Sequence, residues 1–234
     1  MRLKIYAALR DGISCLLQYL LMPFFGWWLA ERALASPMAG SFFASFLTEP
    51  ARAAYLVVVG AQIAVTGVLA ARLPLTTKRF SLRPTLLHWR MIALEAILVV
   101  APYCDHRGVL VFGETTWLRW LGILLFGAGT ALALWSGYVR SWGVARLGLT
   151  INEPVLLVDG PYRRLRYPGY LGLLLLSLGA AFIFRSWFGL GAFCLIFNFI
   201  VMRISDEEHT AKVKFGIRWT AYSRHSWRLV PFIY

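Results

Sequence analysis

Charge is what this chain has least of. Only 15% of its 234 residues are Asp, Glu, Lys or Arg, against roughly 25% in soluble domains. That shortage excludes an ordinary water-soluble globule. Acid is scarcest, with 11 Asp and Glu against 24 Lys and Arg, for a net charge of +13. Cysteine is sparse as well. Cys15, Cys104 and Cys194 lie far apart in or beside apolar segments, with no C-x-x-C pair, which excludes a disulfide framework and a thiolate metal site. The histidines, His88, His106, His209 and His225, have no ligand spacing among themselves, and no metal is expected. No repeat and no low-complexity linker divides the chain.

Apolar residues fill the space that charge leaves, at 59% of the chain. They fall into six segments, roughly 12–32, 52–73, 86–103, 116–140, 168–184 and 187–203, most of them near the roughly 20 residues that cross a bilayer as a helix. The expected fold is all-α: a polytopic integral membrane protein with a C-terminal helical tail. The first segment follows Arg2, Lys4 and Arg10 and runs on to about Ala30, too long for the core of a cleaved leader, so it reads as a membrane helix. Pro23 and Gly26 within it predict a kink. Gly127 and Ala131, four apart in the fourth segment, predict a close helix approach.

A strongly basic chain can bind nucleic acid through phosphate neutralisation. The placement of the charge argues against it here. With the N-terminus inside, alternate loops collect 19 of the 24 Lys and Arg, leaving Arg32, Arg52, Arg107, Arg119 and Arg185 on the other side. This positive-inside bias predicts that both termini are cytoplasmic, in the inner membrane if the source is prokaryotic, with anionic headgroups as neighbours.

The last two segments are only about 15 residues each, split by Arg185 and Ser186, and read as a short helical hairpin. Trp187 suits the interface at its turn. Residues 1–115 are expected to form N-terminal membrane helices, and 116–234 a core of membrane helix, loop, hairpin and tail.

Chemistry should sit where that loop meets the tail. In Val158-Asp159-Gly160-Pro161-Tyr162-Arg163-Arg164-Leu165-Arg166-Tyr167-Pro168-Gly169-Tyr170, Gly160-Pro161 signals a turn and Pro168 a helix start. Helix-start N–H groups and guanidinium donors make a seat for a carboxylate or phosphate. Composition alone equally fits a basic flank with an aromatic belt. After the hairpin comes Arg203-Ile204-Ser205-Asp206-Glu207-Glu208-His209. Arg203 and Glu207 are four apart and share a helix face, where a solvated salt bridge is the plain reading. Three acids in a row interrupt a basic tail where the chain leaves the membrane.

Taken in order, these residues resemble the isoprenylcysteine carboxyl methyltransferases and related membrane phospholipid N-methyltransferases. That family carries G-P-Y, R-H-P-x-Y, a helical hairpin, R-x-x-x-E-E, F-G-x-x-Y and a terminal basic-x-x-Pro. The matching residues are Gly160, Pro161, Tyr162, Arg166, Pro168, Tyr170, Arg203, Glu207, Glu208, Phe215, Gly216 and Pro231, within a resemblance over about residues 118–234. Two positions depart from the pattern: Tyr167 stands at the family's His, and Trp219 at the Tyr of F-G-x-x-Y. Each keeps an aromatic ring, while imidazole proton chemistry is lost at 167.

The resemblance implies an S-adenosylmethionine-dependent methyltransferase with a lipophilic or lipid-linked acceptor. It implies cofactor contacts at Val158, Gly160, Pro161, Tyr162, Arg166, Tyr167, Pro168, Tyr170 and Glu208, Arg166 serving the cofactor's carboxylate, and catalytic roles for Arg203 and Glu207. The acceptor is expected to be a carboxylate, which needs no general base. Arg203 would orient it and Glu207 would hold Arg203. An amine or thiol acceptor would instead lose a proton, to Glu207 or Glu208. Alternatives are a phospholipid-type N-methyltransferase, a sterol-type reductase with a nicotinamide cofactor, which shares R-H-P-x-Y, and a non-catalytic homologue. Glu95, near the middle of the third segment, is either functional or paired with a neighbouring Arg. Asn198 either bonds a neighbouring helix or lines an acceptor tunnel.

Overall fold

Long apolar runs without proline become helices because, in lipid, only a helix satisfies every backbone N–H and C=O within one segment. The computed structural model describes residues 21–33, 46–72, 87–113, 115–147 and 155–229. These form seven α-helices: α1 Met22–Ala33, α2 Pro50–Arg72, α3 Leu87–Arg107, α4 Thr116–Arg146, α5 Pro168–Ile183, α6 Trp187–Phe215 and α7 Ile217–Arg224. A 3-10 turn, Gly160–Arg163, precedes α5. No strand occurs among the described residues. Residues 12–20 of the first apolar segment, Cys15, the basic residues Lys78, Arg79 and Arg83, and Pro231 lie outside the described residues, as does the side chain of Glu95.

Six apolar segments were expected, the last two as a short hairpin. Among the described residues three stretches are long and apolar enough to cross a membrane, Pro50–Leu69, Thr116–Val144 and Trp187–Phe215, and Pro168–Ile183 is a shorter apolar helix. The short hairpin needs correction. Its first arm has 16 residues but its second has 29, because nothing from Asp206 to Phe215 breaks a helix. It ends at Gly216, where φ is +50°, a backbone state that glycine adopts without Cβ strain. The acidic cluster therefore rides on a rigid extension of a membrane-length helix.

The close helix approach lies elsewhere than expected. An added Cβ at Gly127 would meet nothing within 4 Å, and Ala131 is exposed. The contact is made by Gly122 and Gly129 of α4 against Gly179 and Gly172 of the antiparallel α5. An added Cβ at Gly129 would lie 2.7 Å from the Gly172 carbonyl oxygen, and one at Gly122 would lie 2.8 Å from that of Gly179. Residues seven apart return to one helix face, so two glycine pairs clear a seam in which the backbones touch. Gly26 acts similarly: α1 runs through it as helix, and a Cβ at Gly26 would strike the Val99 carbonyl of α3; the kink expected around Pro23 adjoins residues that lie outside the described ones. Between α2 and α4, Thr130 donates to the Gln62 side chain at 3.4 Å.

One end of the bundle is closed by charge. The carboxylate of Asp105, near the end of α3 and fully buried, receives Arg119 of α4 as a two-pronged pair at 3.0 and 3.1 Å. Arg185, in the α5–α6 turn, reaches it from Nε and Nη2 at 3.1 and 3.0 Å, and Arg52 of α2 at 3.3 Å. Arg119 also donates to the carbonyl of Ile183 at 2.7 Å, and the Arg52 guanidinium lies 4.4 Å over the Trp27 ring of α1. Three arginines assigned by sequence to loops on one side thus converge on one acid. Arg185 adopts φ +48°, a strained state for a residue with a Cβ, which these bonds and the bond from Phe112 N–H to its carbonyl at 2.7 Å hold in place.

Candidate active site

At the other end of α5 and α6 lie the loop and the tail. Gly160 opens the 3-10 turn with φ +58°, and an added Cβ would stand 2.9 Å from a Val139 methyl, so both conformation and space require glycine. Pro161 is buried at the start of the turn. Tyr162 folds back on α4 and directs its hydroxyl to the Ser136 carbonyl at 3.4 Å. Burial pushes its phenol pKa up, against the pull of Arg140. Pro168 is buried in the first turn of α5, where its missing N–H costs nothing. Val158 is half exposed and faces a cavity beside α4 rather than the tail.

The two glutamates, adjacent in sequence, do different work. On α6 the buried stripe runs Ala192, Ile196, Ile200, Ile204, Glu208, so the four-residue spacing that buries the isoleucines also buries Glu208. Arg166 meets it at 2.6 Å and Arg228 embraces it from Nε and Nη2 at 3.0 and 2.7 Å. Arg166 further bonds the Ser226 hydroxyl at 3.2 Å, the Ser226 carbonyl at 2.8 Å and the Ser223 carbonyl at 2.5 Å. The sequence assigned Arg166 to a cofactor carboxylate. In the structure its side chain fastens the tail to the loop.

Backbone bonds complete that fastening. Arg166 N–H donates to Trp227 O at 2.8 Å, Trp227 N–H to Arg164 O at 2.9 Å, and Tyr167 N–H to Arg228 O at 3.2 Å. The Tyr222 hydroxyl donates to Tyr162 O at 2.6 Å, and burial pushes its pKa up to about 12. Arg228, Ser226 and Ser223 were not among the expected site residues. The basic residue of the terminal basic-x-x-Pro was the available signal for Arg228, while the serine contacts are backbone and hydroxyl bonds without a sequence signature.

Glu207, one residue earlier, turns toward α5. It accepts from the Tyr170 hydroxyl at 2.7 Å and from Arg203 Nε at 3.1 Å. Arg203 and Glu207 remain part-exposed, at 40% and 34% of their side chains. Tyr170 also lies within hydrogen-bonding reach of the Arg203 side chain. Tyr167 stacks on Tyr170, with centroids 5.7 Å apart and planes 22° from parallel. Burial, reinforced by Glu207 and Glu208, raises the Tyr167 pKa well above the ordinary phenol value. Trp219 is buried on α7, 5.8 Å from Tyr222, and its indole N–H has no partner among the described residues.

Apart from Val158 at the cavity beside α4 and Pro168 in the first turn of α5, the expected site residues form three groups: Gly160, Pro161 and Tyr162 against α4; Arg166 and Glu208 in the tail fastening; and Tyr167, Tyr170, Arg203 and Glu207 around an open carboxylate. Asn198 is exposed and donates to the Cys194 carbonyl of its own helix at 2.9 Å, reaching neither a neighbouring helix nor Arg203.

The third group offers a stacked aromatic face, one carboxylate and one part-exposed guanidinium. Such a set suits a cation beside an acceptor that bears or can lose charge. No curated protein and no solved structure matches the chain significantly. A family model does match: residues 117–216, from α4 through Gly216, are similar to the phospholipid methyltransferases, and this similarity points to methyl transfer at a membrane.

Proposed function

We propose that the chain is an S-adenosylmethionine-dependent methyltransferase that acts on a lipophilic acceptor entering from the bilayer. The observation that carries this reading is the Tyr170–Glu207–Arg203 chain beside the stacked Tyr167. Bound there, S-adenosylmethionine would supply an electrophilic methyl group on a sulfonium cation. The faces of Tyr167 and Tyr170 and the Glu207 carboxylate fit that cation by charge and shape. The family similarity supports methyl transfer over the nicotinamide-dependent reductase and over a non-catalytic homologue.

Positioning does most of the work in an in-line methyl transfer. For a carboxylate acceptor, the Nη groups of Arg203 orient its oxygens while Glu207 and Tyr170 fix Arg203 in register. No base is needed, because the nucleophile is already an anion. The second reading is an amine acceptor, favoured by the match to phospholipid methyltransferases. The proton then leaves toward Glu207, whose carboxylate is open, and not toward Glu208, which two arginines enclose. The excess of Lys and Arg on alternate loops supports placing this end of the bundle, with both termini, in the cytoplasm.

Membranes given a methyl-labelled donor test the reading. Label released by mild alkali marks an ester, and alkali-stable label an amine. Failure of the purified protein to bind the donor in detergent and in lipid would sink it.

A further inference from the structure

A cavity of about 440 Å³ lies between α4 and the segment leading into the 3-10 turn. Its wall includes Tyr138, Trp142 and Arg146 from α4 and Leu157, Val158 and Asp159 from that segment. Neither Tyr170, Arg203 nor Glu207 lines it. Its size falls within the roughly 300–1,000 Å³ of small-molecule sites.

Its position and chemistry select a ligand. The apolar span of α4 runs to Val144, so Arg146 in the last turn stands where the helix leaves hydrocarbon. Tyr138 and Trp142, one turn apart with rings 6.3 Å from each other, are 36% and 40% exposed. Arg146 and Asp159 are exposed, and among the described residues neither side chain has an ion-pair or hydrogen-bond partner. Asp159 does not cap the turn it precedes. One open cation, one open carboxylate, two aromatic faces and an apolar floor at the membrane boundary complement a zwitterion with an apolar body.

We propose that this cavity is a lipid site separate from the methyl-transfer centre, holding the headgroup of a zwitterionic membrane phospholipid as a resident partner. Arg146 takes the phosphate through charge-assisted bonds. Asp159 and the faces of Tyr138 and Trp142 take the ammonium, and Leu157 and Val158 meet the glycerol and upper acyl chains. Val158 and Asp159 lead directly into Gly160, so an occupied cavity braces the turn that carries Pro161 and Tyr162. The proposal does not depend on the methyltransferase reading, since binding needs no methyl donor.

Native mass spectrometry of the delipidated full chain, titrated in detergent with phosphatidylethanolamine, phosphatidylcholine or phosphatidylglycerol, tests it. One zwitterionic lipid per chain is expected, preferred over phosphatidylglycerol. Arg146→Gln and Asp159→Asn should each weaken its binding about tenfold, the scale of one charge-assisted contact, with unfolding midpoints unchanged because both side chains are exposed. Trp142→Leu should weaken phosphatidylcholine most. Wild-type affinity in both charge variants, or equal binding of phosphatidylglycerol, overturns the proposal. So does a methyl mass gained by the retained lipid when donor is added, because the cavity would then be the acceptor site.

Discussion

The hydroxyl of Tyr170 donates to the carboxylate of Glu207 at 2.7 Å, across the groove between α5 and α6. It joins the start of one helix to the membrane exit of the next, and it fixes the carboxylate that also holds Arg203.

Glu207→Gln should lower kcat/KM by about tenfold to a hundredfold, since it replaces a charged partner of Arg203 with a neutral one of the same shape. Tyr170→Phe should cost less, about fivefold, the worth of one neutral donor. Both should unfold at the wild-type temperature, because Glu207 is part-exposed. Steady-state kinetics with labelled donor, set beside thermal unfolding in detergent, check this. Wild-type turnover in Glu207→Gln would refute the assignment.

Glu208 should behave as a structural residue. Glu208→Gln leaves Arg166 and Arg228 without their shared counter-charge and should destabilise the protein by about 2–4 kcal/mol. Hydrogen exchange should then accelerate at Arg166, Tyr167 and Trp227, whose amides make the loop–tail bonds. An exchange pattern like that of the wild type would show that the backbone bonds suffice without the charge.

At the opposite end, Asp105→Asn should cost about 3–5 kcal/mol, because it strips the carboxylate from three buried arginines. The loss should appear as a lower unfolding midpoint in detergent. Arg119→Met, which removes one cation and its two-pronged pair, should cost less than Asp105→Asn.

Gly129→Val should destabilise by about 1–3 kcal/mol, since its side chain would press on the α5 backbone at Gly172. Gly127→Val should be nearly silent, because that position opens away from protein. Unfolding midpoints of the two variants, measured in one detergent, separate the seam from the lipid-facing side of α4.

Alkaline pH should loosen the tail. The Tyr222 pKa is raised to about 12, first by burial, above the ordinary phenol value of about 10. A folded-state pKa above the unfolded one means that the group's stabilisation is complete below about pH 10 and is lost as pH rises through about 12. Tyr222→Phe should flatten the fall in unfolding midpoint across that window. An unchanged slope would assign the fall to Tyr162 or Tyr167 instead.

Much of this was legible in the sequence because it depends on local pattern. Arg203 and Glu207 are four apart, and any helix brings them to one face. Pro168 marked the start of α5, and the apolar runs marked α2, α4 and α6. Other features needed partners far away in the chain. The separate fates of Glu207 and Glu208 were encoded in the spacing of Ile196, Ile200 and Ile204, but that stripe reads as buried only once α5 is seen against it. Gly127 and Ala131 had the right spacing on the wrong face, whereas Gly122 and Gly129 meet Gly179 and Gly172 because of how α4 is rotated.

By itself the sequence determined that this is a helical membrane chain with an aromatic, basic loop and an acidic helix exit, because hydropathy and helical period are properties of contiguous residues. Tertiary structure alone decided that Asp105 gathers Arg52, Arg119 and Arg185, that Arg166 fastens the tail, and that Glu207 stays open while Glu208 is enclosed. Those outcomes depend on burial and on contacts between residues 14 to 80 positions apart, and a buried charge takes whichever counter-charge the packing of the helices brings within reach.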